Sequence, residues 1–359
     1  MSDLKSNAST LSQTALLPGP IMVDVDGHVL TAHEVERLRH PLVGGAILFA
    51  RNFASRRQLA DLCEAIHAVR EQPLIIAVDH EGGRVQRFRT DGFTRIPAMQ
   101  ALGEKWADDP WQAQRLATDA AWIMATELRA CGVDLAFAPV LDLDYGVSDV
   151  IGSRALHADP AVVTTLARAL CHGLALAGMA ACGKHFPGHG AVAADSHHAM
   201  PRDPRSLAQI LEADAAPYAW LGDLVLPAVM PAHVVYPEVD SQPAGFSTVW
   251  LQQVLRQKLQ YNGVIFTDDL TMEAATVAGD IVSRTQAALK AGCDMALVCN
   301  RPDLADDLLA RLDYQPDAAS GQRIARLKPA LPARSWADLQ ALETYQHARQ
   351  RLRSENLSD

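Results

Sequence analysis

Eight short apolar runs recur along the chain, each separated from the next by a stretch with helical periodicity, and this alternation limits the folds available. The runs fall at 19–25, 45–49, 74–78, 133–140, from Met179, 225–230, 263–266 and 294–298. Several are rich in branched residues on both faces of an extended chain, as in Leu74-Ile75-Ile76-Ala77-Val78, which implies strands covered on two sides. Between them, helix starts are legible. Thr31 with Glu34 forms a capping box, and Ser55 precedes apolar residues at Leu59, Leu62, Cys63, Ile66 and Val69. Helices are expected at 111–130 and 161–177, at 203–221 with Asp203 as cap, and after Ser247. The alternation predicts an α/β fold, a single (β/α)8 TIM-type barrel over about 18–315 with a helical C-terminal extension over about 320–355.

Polar residues at the ends of these runs favour a barrel over an open sheet. Asp79, Asp142, Lys184, His185, His233 and Asp268 each follow or end a different apolar run, apart from the adjacent Lys184 and His185. A barrel brings the C-terminal ends of its strands to one mouth, whereas an open sheet strings them along an edge.

The densest polar stretch is 179–200, MAACGKHFPGHGAVAADSHHAM, where a buried run empties into a turn-rich segment. Asp195 stands two residues before His197, a spacing that lets a carboxylate hold an imidazole in one tautomer and raise its basicity. The small residues around Gly188, Gly190, Ala191 and Ala193 predict a mobile segment. Asp268, in VIFTDDL, supplies a carboxylate at a strand end, and Asp269 is left to cap the following helix. An acid/base group on a loop and a fixed carboxylate are the equipment for two-step displacement at an acetal carbon. Asp79 and Lys184 would serve a polyhydroxylated ligand as acceptor and donor.

Composition narrows the setting. The 359 residues are 49% hydrophobic with a formal charge of −10, which speaks against nucleic-acid or anionic-membrane partners. Arg349, Arg351 and Arg353 read as a solvated helix face. Six cysteines without a CxxC pair suit free thiols in a reducing compartment. Residues 1–20 contain no apolar core of signal-peptide length, so a soluble cytoplasmic protein is expected.

Together KHFPGHG, the downstream DSH, VDHEGGRVQRF, GSR and FTDDLTM resemble glycoside hydrolase family 3, in its bacterial β-N-acetylglucosaminidase branch. The resemblance covers nearly the whole expected barrel and implies a single catalytic domain over 1–359. It implies that Asp268 is the nucleophile, that His197 with Asp195 is the acid/base pair, and that Asp79, Arg87, Arg154, Lys184 and His185 hold a terminal N-acetylglucosamine. Further implications are a monomeric enzyme acting on a small saccharide, a muropeptide or alternatively a short chitin oligomer, without cofactor or metal. One departure is His80, where the family usually has Gln, beside a ligand position where it would shift affinity. Two other readings remain at this stage: a metal-dependent hydrolase using His185, His189, His197 and His233, and a sugar-binding protein without turnover.

Overall fold

The computed structural model describes residues 17–193, 200–315 and 317–358. Eight parallel strands coincide with the eight apolar runs. They are β1 (Ile21–Asp24), β2 (Val43–Leu48), β3 (Ile75–Val78), β4 (Leu135–Ala136), β5 (Cys182–Phe186), β6 (Ala228–Pro231), β7 (Val264–Ile265) and β8 (Ala296–Val298). Five pair in the order β8-β1-β2-β3-β4 and three in the order β7-β6-β5. Single parallel bridges run between the two groups: Leu135 with Ala180, Val140 with Lys184, and Phe266 with Met295.

The period of two along each strand divides the apolar side chains between two cores. Met22, Ile47, Ala77, Leu135, Cys182, Met230, Val264 and Leu297, one from each strand, belong to a compact inner cluster. Their neighbours Ile21, Val23, Leu48, Ile76 and Val78 face the other way, into the larger core beneath the helices. Both faces are therefore dry, which is why these runs read as continuous apolar sequence.

The helices begin largely where local chemistry directs. Thr31 and Glu34 form a reciprocal capping box on α1 (Ala32–Arg39), and the Ser55 hydroxyl caps α2 (Arg56–His67). Asp109 caps α3 (Pro110–Ala130) and Asp159 caps α4 (Pro160–Leu176), each with proline in the first turn. The expected start at Asp203 is corrected. Asp203 is held by Arg205, with Nη2 to Oδ2 at 2.6 Å, and Ser206 caps α5 (Leu207–Glu212) instead. Asp203 Oδ1 accepts the Arg205 N–H at 3.1 Å as well, so this carboxylate closes the turn ahead of the helix rather than the helix itself. No helix among the described residues is long and apolar enough to cross a membrane.

At the C-terminus the helical stretch breaks at Leu342 into α6 (Trp336–Ala341) and α7 (Glu343–Ser354). The latter packs on α3. Arg351 is half-exposed but also paired: it grips Asp119 with Nε and Nη2 at 2.6 and 2.7 Å. Tyr345 donates to the buried Glu127 at 2.6 Å, beside bonds from the Thr94 amide and hydroxyl. Truncating that phenol in Tyr345→Phe leaves Glu127 short of one donor. The expected loss is about 1–2 kcal/mol of stability, read from the urea unfolding midpoint; an unchanged midpoint would mean that this bond does not help hold the helix.

Candidate active site

The strands and the segments that follow them assemble one cavity of about 530 Å³. It is lined by Asp79 and Glu81 after β3, Lys184 and His185 on β5, and Asp268 and Asp269 after β7, with Arg87, Arg154, His189 and Phe49. Of the six residues expected at a common mouth, Asp79, Lys184, His185 and Asp268 line this cavity, while Asp142 and His233 do not; Arg87 and Arg154, which the resemblance implies hold the sugar, line it as well. Asp195 and His197 lie outside the described residues, as does the expectation of mobility attached to them.

Lys184 is part of β5 rather than of the loop beyond it, because the strand runs on to Phe186. The Lys184–His185 peptide bond is cis, and both side chains line the cavity. Lys184 Nζ lies 2.7 Å from Asp79 Oδ1 and 2.7 Å from Glu81 Oε1. Arg154 closes on Glu81 in a two-pronged grip, Nε and Nη2 each at 2.8 Å. Arg87 reaches Asp79 at 3.4 Å. Burial by itself would push the Glu81 carboxyl up, but the cations of Lys184 and Arg154 overcome it and hold the group well below the usual carboxylate range. Burial likewise works against the Lys184 charge, and Asp79 and Glu81 outweigh it, so the ammonium stays protonated.

Asp142, which follows the fourth apolar run, organises the other wall. Its Oδ2 is 2.7 Å from His185 Nδ1, while Oδ1 accepts the backbone N–H groups of His185 at 3.2 Å and His189 at 2.7 Å. Burial tends to raise its pKa, yet the two histidines and their N–H groups bring it below the ordinary value. An ionised carboxylate only accepts, so His185 carries its hydrogen on Nδ1, which leaves Nε2 as the other ring position.

The adjacent carboxylates Asp268 and Asp269 are driven apart electrostatically. Burial opposes ionisation of Asp268, but His233, His185, the Asp269 N–H and Lys184 lower its pKa and keep it charged. Asp269 does not act as a helix cap: its oxygens accept from Thr271 N and Oγ1 at 2.9 and 2.8 Å and from Cys299 N at 3.2 Å. Burial, with the charge of Asp268 added, pushes it up to about 7. One carboxylate is thus ionised and faces the cavity, while its neighbour is a structural acid tied to β8.

Other expectations change. His80 does not line the cavity; it is buried against Phe88 and Phe93, with ring centroids at 5.6 and 6.3 Å, and burial brings its pKa down to about 3. Asp79 and Glu81 lie two residues apart on extended chain and share a side, so His80 must face the other. The same parity was available in the sequence and would have singled out Glu81. Asp142 was placed at a strand end but given no role, and only its contacts reveal one. His233 sits behind the cavity wall, its Nε2 3.1 Å from the Asp269 carbonyl and its ring stacked on Phe246. Among the described residues no three His, Cys, Asp or Glu side chains converge as a metal site.

Two outcomes test this arrangement. Glu81→Gln leaves Lys184 and Arg154 buried with half their compensation, and a loss of about 3–5 kcal/mol is expected in chemical unfolding; a loss below about 1 kcal/mol would mean that Glu81 is not the hub. Asp269 contributes the opposite sign. Its folded pKa of about 7 lies above the ordinary 3.8, so its stabilising contribution is full below pH 3.8 and is lost as pH rises through about 7. Asp269→Asn, always neutral, should flatten the decline in thermal stability across that window. Parallel pH profiles for the two proteins would overturn the assignment.

Comparison with known proteins places this geometry. Residues 18–326 match the model for the glycosyl hydrolase family 3 N terminal domain. A β-hexosaminidase of Bordetella parapertussis is 67% identical over 97% of this chain and 98% of its own length. One of Methylobacillus flagellatus is 56% identical over 92% and 94%. Among solved structures, NagZ from Neisseria gonorrhoeae in complex with N-trifluoroacetyl-D-glucosamine superposes with a TM-score of 0.89 at 47% identity, covering 94% of this chain and 98% of that one. A family 3 β-N-acetylglucosaminidase from Paenibacillus superposes with a TM-score of 0.82 at 32% identity, over 94% of this chain and 67% of that one. A cavity that holds the ionised Asp268 together with a fixed array of donors and acceptors, in a chain this similar to those enzymes along almost all its length, leads to one conclusion: the chain belongs to glycoside hydrolase family 3, as a glycosidase of its NagZ-type β-hexosaminidase branch.

Proposed function

We propose that this glycosidase removes terminal, non-reducing β-1,4-linked N-acetylglucosamine from peptidoglycan fragments, N-acetylglucosaminyl-anhydro-N-acetylmuramic acid and its peptides, in cell-wall recycling. It does so by double displacement. The observation that carries the reading is Asp268: an ionised carboxylate at a strand end, in the same cavity as the Lys184–Asp79–Glu81–Arg154 array. Asp79 accepts from the hydroxyls of the terminal sugar, and Lys184, Arg87, Arg154 and His185 complete its binding. Asp268 attacks the anomeric carbon and forms a glycosyl-aspartate, while His197, oriented by Asp195, protonates the departing oxygen. The same imidazole then takes a proton from water, which releases the sugar with its β configuration retained.

Several wider readings go with it. The bridges between the two strand groups support one closed (β/α)8 barrel. Six cysteines that are all buried and unpaired support a reducing, cytoplasmic setting. The working unit is a monomer with a single catalytic domain. A second reading, hydrolysis of short chitin oligomers, uses the same residues and differs only in the leaving sugar.

A fluorinated N-acetylglucosaminide should trap the intermediate, with the label on the Asp268 peptide in mass spectrometry. A label on Glu81, Asp269 or Asp195 would overturn the mechanism. Asp268→Ala should lose at least about 10³-fold in kcat on every substrate. His197→Ala should lose far less on a nitrophenyl glycoside, whose leaving group departs unprotonated, than on a natural disaccharide. Faster turnover of chitobiose than of the anhydromuramic disaccharide would favour the chitin reading.

A further inference from the structure

One side chain of the cavity wall is left with every polar atom buried and unsatisfied among the described residues. His189 follows β5 by three residues, lines the cavity, and is only 3% exposed. Neither ring nitrogen has a hydrogen-bond partner among the described residues. Its backbone is held firmly. The His189 N–H donates to Asp142 at 2.7 Å, and the Gly188 carbonyl accepts from Tyr236 Oη at 2.6 Å. A Cβ on Gly188 would lie 2.6 Å from Asp214 Cβ, and one on Gly190 would lie 1.8 Å from the Leu143 carbonyl oxygen. The turn is therefore built to close tolerance around a ring that makes no bond of its own.

An imidazole kept only to fill space is a poor choice, because both nitrogens lose water and gain nothing in return. An apolar ring would fill the place without that loss. We propose that His189 is a further saccharide-contacting residue, whose imidazole hydrogen-bonds a hydroxyl of the sugar bound beside Asp268 and helps set which saccharides the site accepts. The inference rests on the saccharide reading given above. Burial and the neighbouring His185, whose ring centroid is 6.1 Å away, lower the pKa of His189 and keep it neutral. A neutral imidazole offers one donor and one acceptor, the complement of a hydroxyl, which also does both. The charged groups around it lack that property: Lys184, Arg87 and Arg154 only donate, and the ionised Asp268 only accepts.

The test combines substitutions at His189 with nitrophenyl N-acetylglucosaminides lacking the 3-, 4- or 6-hydroxyl in turn. For one of the three, wild-type kcat/KM should fall by about five- to tenfold, the size expected of one neutral hydrogen bond. His189→Ala should lose a similar factor on the parent substrate and lose nothing more when that hydroxyl is removed. His189→Gln and His189→Asn keep size and polarity, and one of them should restore part of the loss; they carry the comparison if the alanine variant does not fold. A variant that stays as sensitive as wild type to every hydroxyl overturns the proposal and leaves His189 a packing residue. If the wild-type protein hydrolyses no N-acetylglucosaminide, the proposed function fails, and the His189 proposal is decided by calorimetric binding of N-acetylglucosamine. Weaker binding by His189→Gln and His189→Ala would sustain it, and equal binding or none would sink it.

Discussion

Glu81 holds the site together. Its carboxylate, almost out of reach of water, accepts from Lys184 on β5 and from Arg154 in the turn beyond β4. Three chain segments remote in sequence are thus fixed by one group. Burying two cations and a carboxylate is favourable only when every charge has a partner in good geometry. The network meets that condition, because Asp79 takes the second face of Lys184 and Arg87 takes the second oxygen of Asp79. The donors and acceptors facing a ligand are therefore set before it arrives, so little ordering remains to oppose binding.

Around that hub the structure separates groups of the same chemical type into different tasks. Asp268 and Asp269 are neighbours in sequence, yet one is ionised by nearby imidazoles and Lys184 while burial and its neighbour's charge drive the other toward protonation. His185, His189 and His80 are likewise divided. His185 is oriented by a carboxylate, the His189 ring in the cavity wall has no hydrogen-bond partner among the described residues, and His80 is a neutral ring within an aromatic cluster. What a residue does here follows from which charges and dipoles surround it.

The sequence by itself determined the scaffold. Apolar runs buried on both faces, separated by capped amphipathic helices, specify parallel strands with helical connections, because period and capping are local properties of the chain. It also determined that Asp79 and Asp268 stand just beyond strand ends and that Lys184 and His185 belong with the fifth apolar run, since each interrupts or terminates such a run. Where the local reading failed, a charged side-chain partner had intervened. Asp203 is taken up by Arg205 two residues on and the helix starts at Ser206, and Asp119, far along the chain, pairs with the half-exposed Arg351. Only the tertiary structure decided which charges meet, as in the junction of Glu81 with Arg154 across 73 positions and the bond of Asp142 to His185 across 43. Only it decided which of two adjacent carboxylates stays ionised. Those outcomes depend on burial and on fields from groups far apart along the chain, and local periodicity carries no record of either.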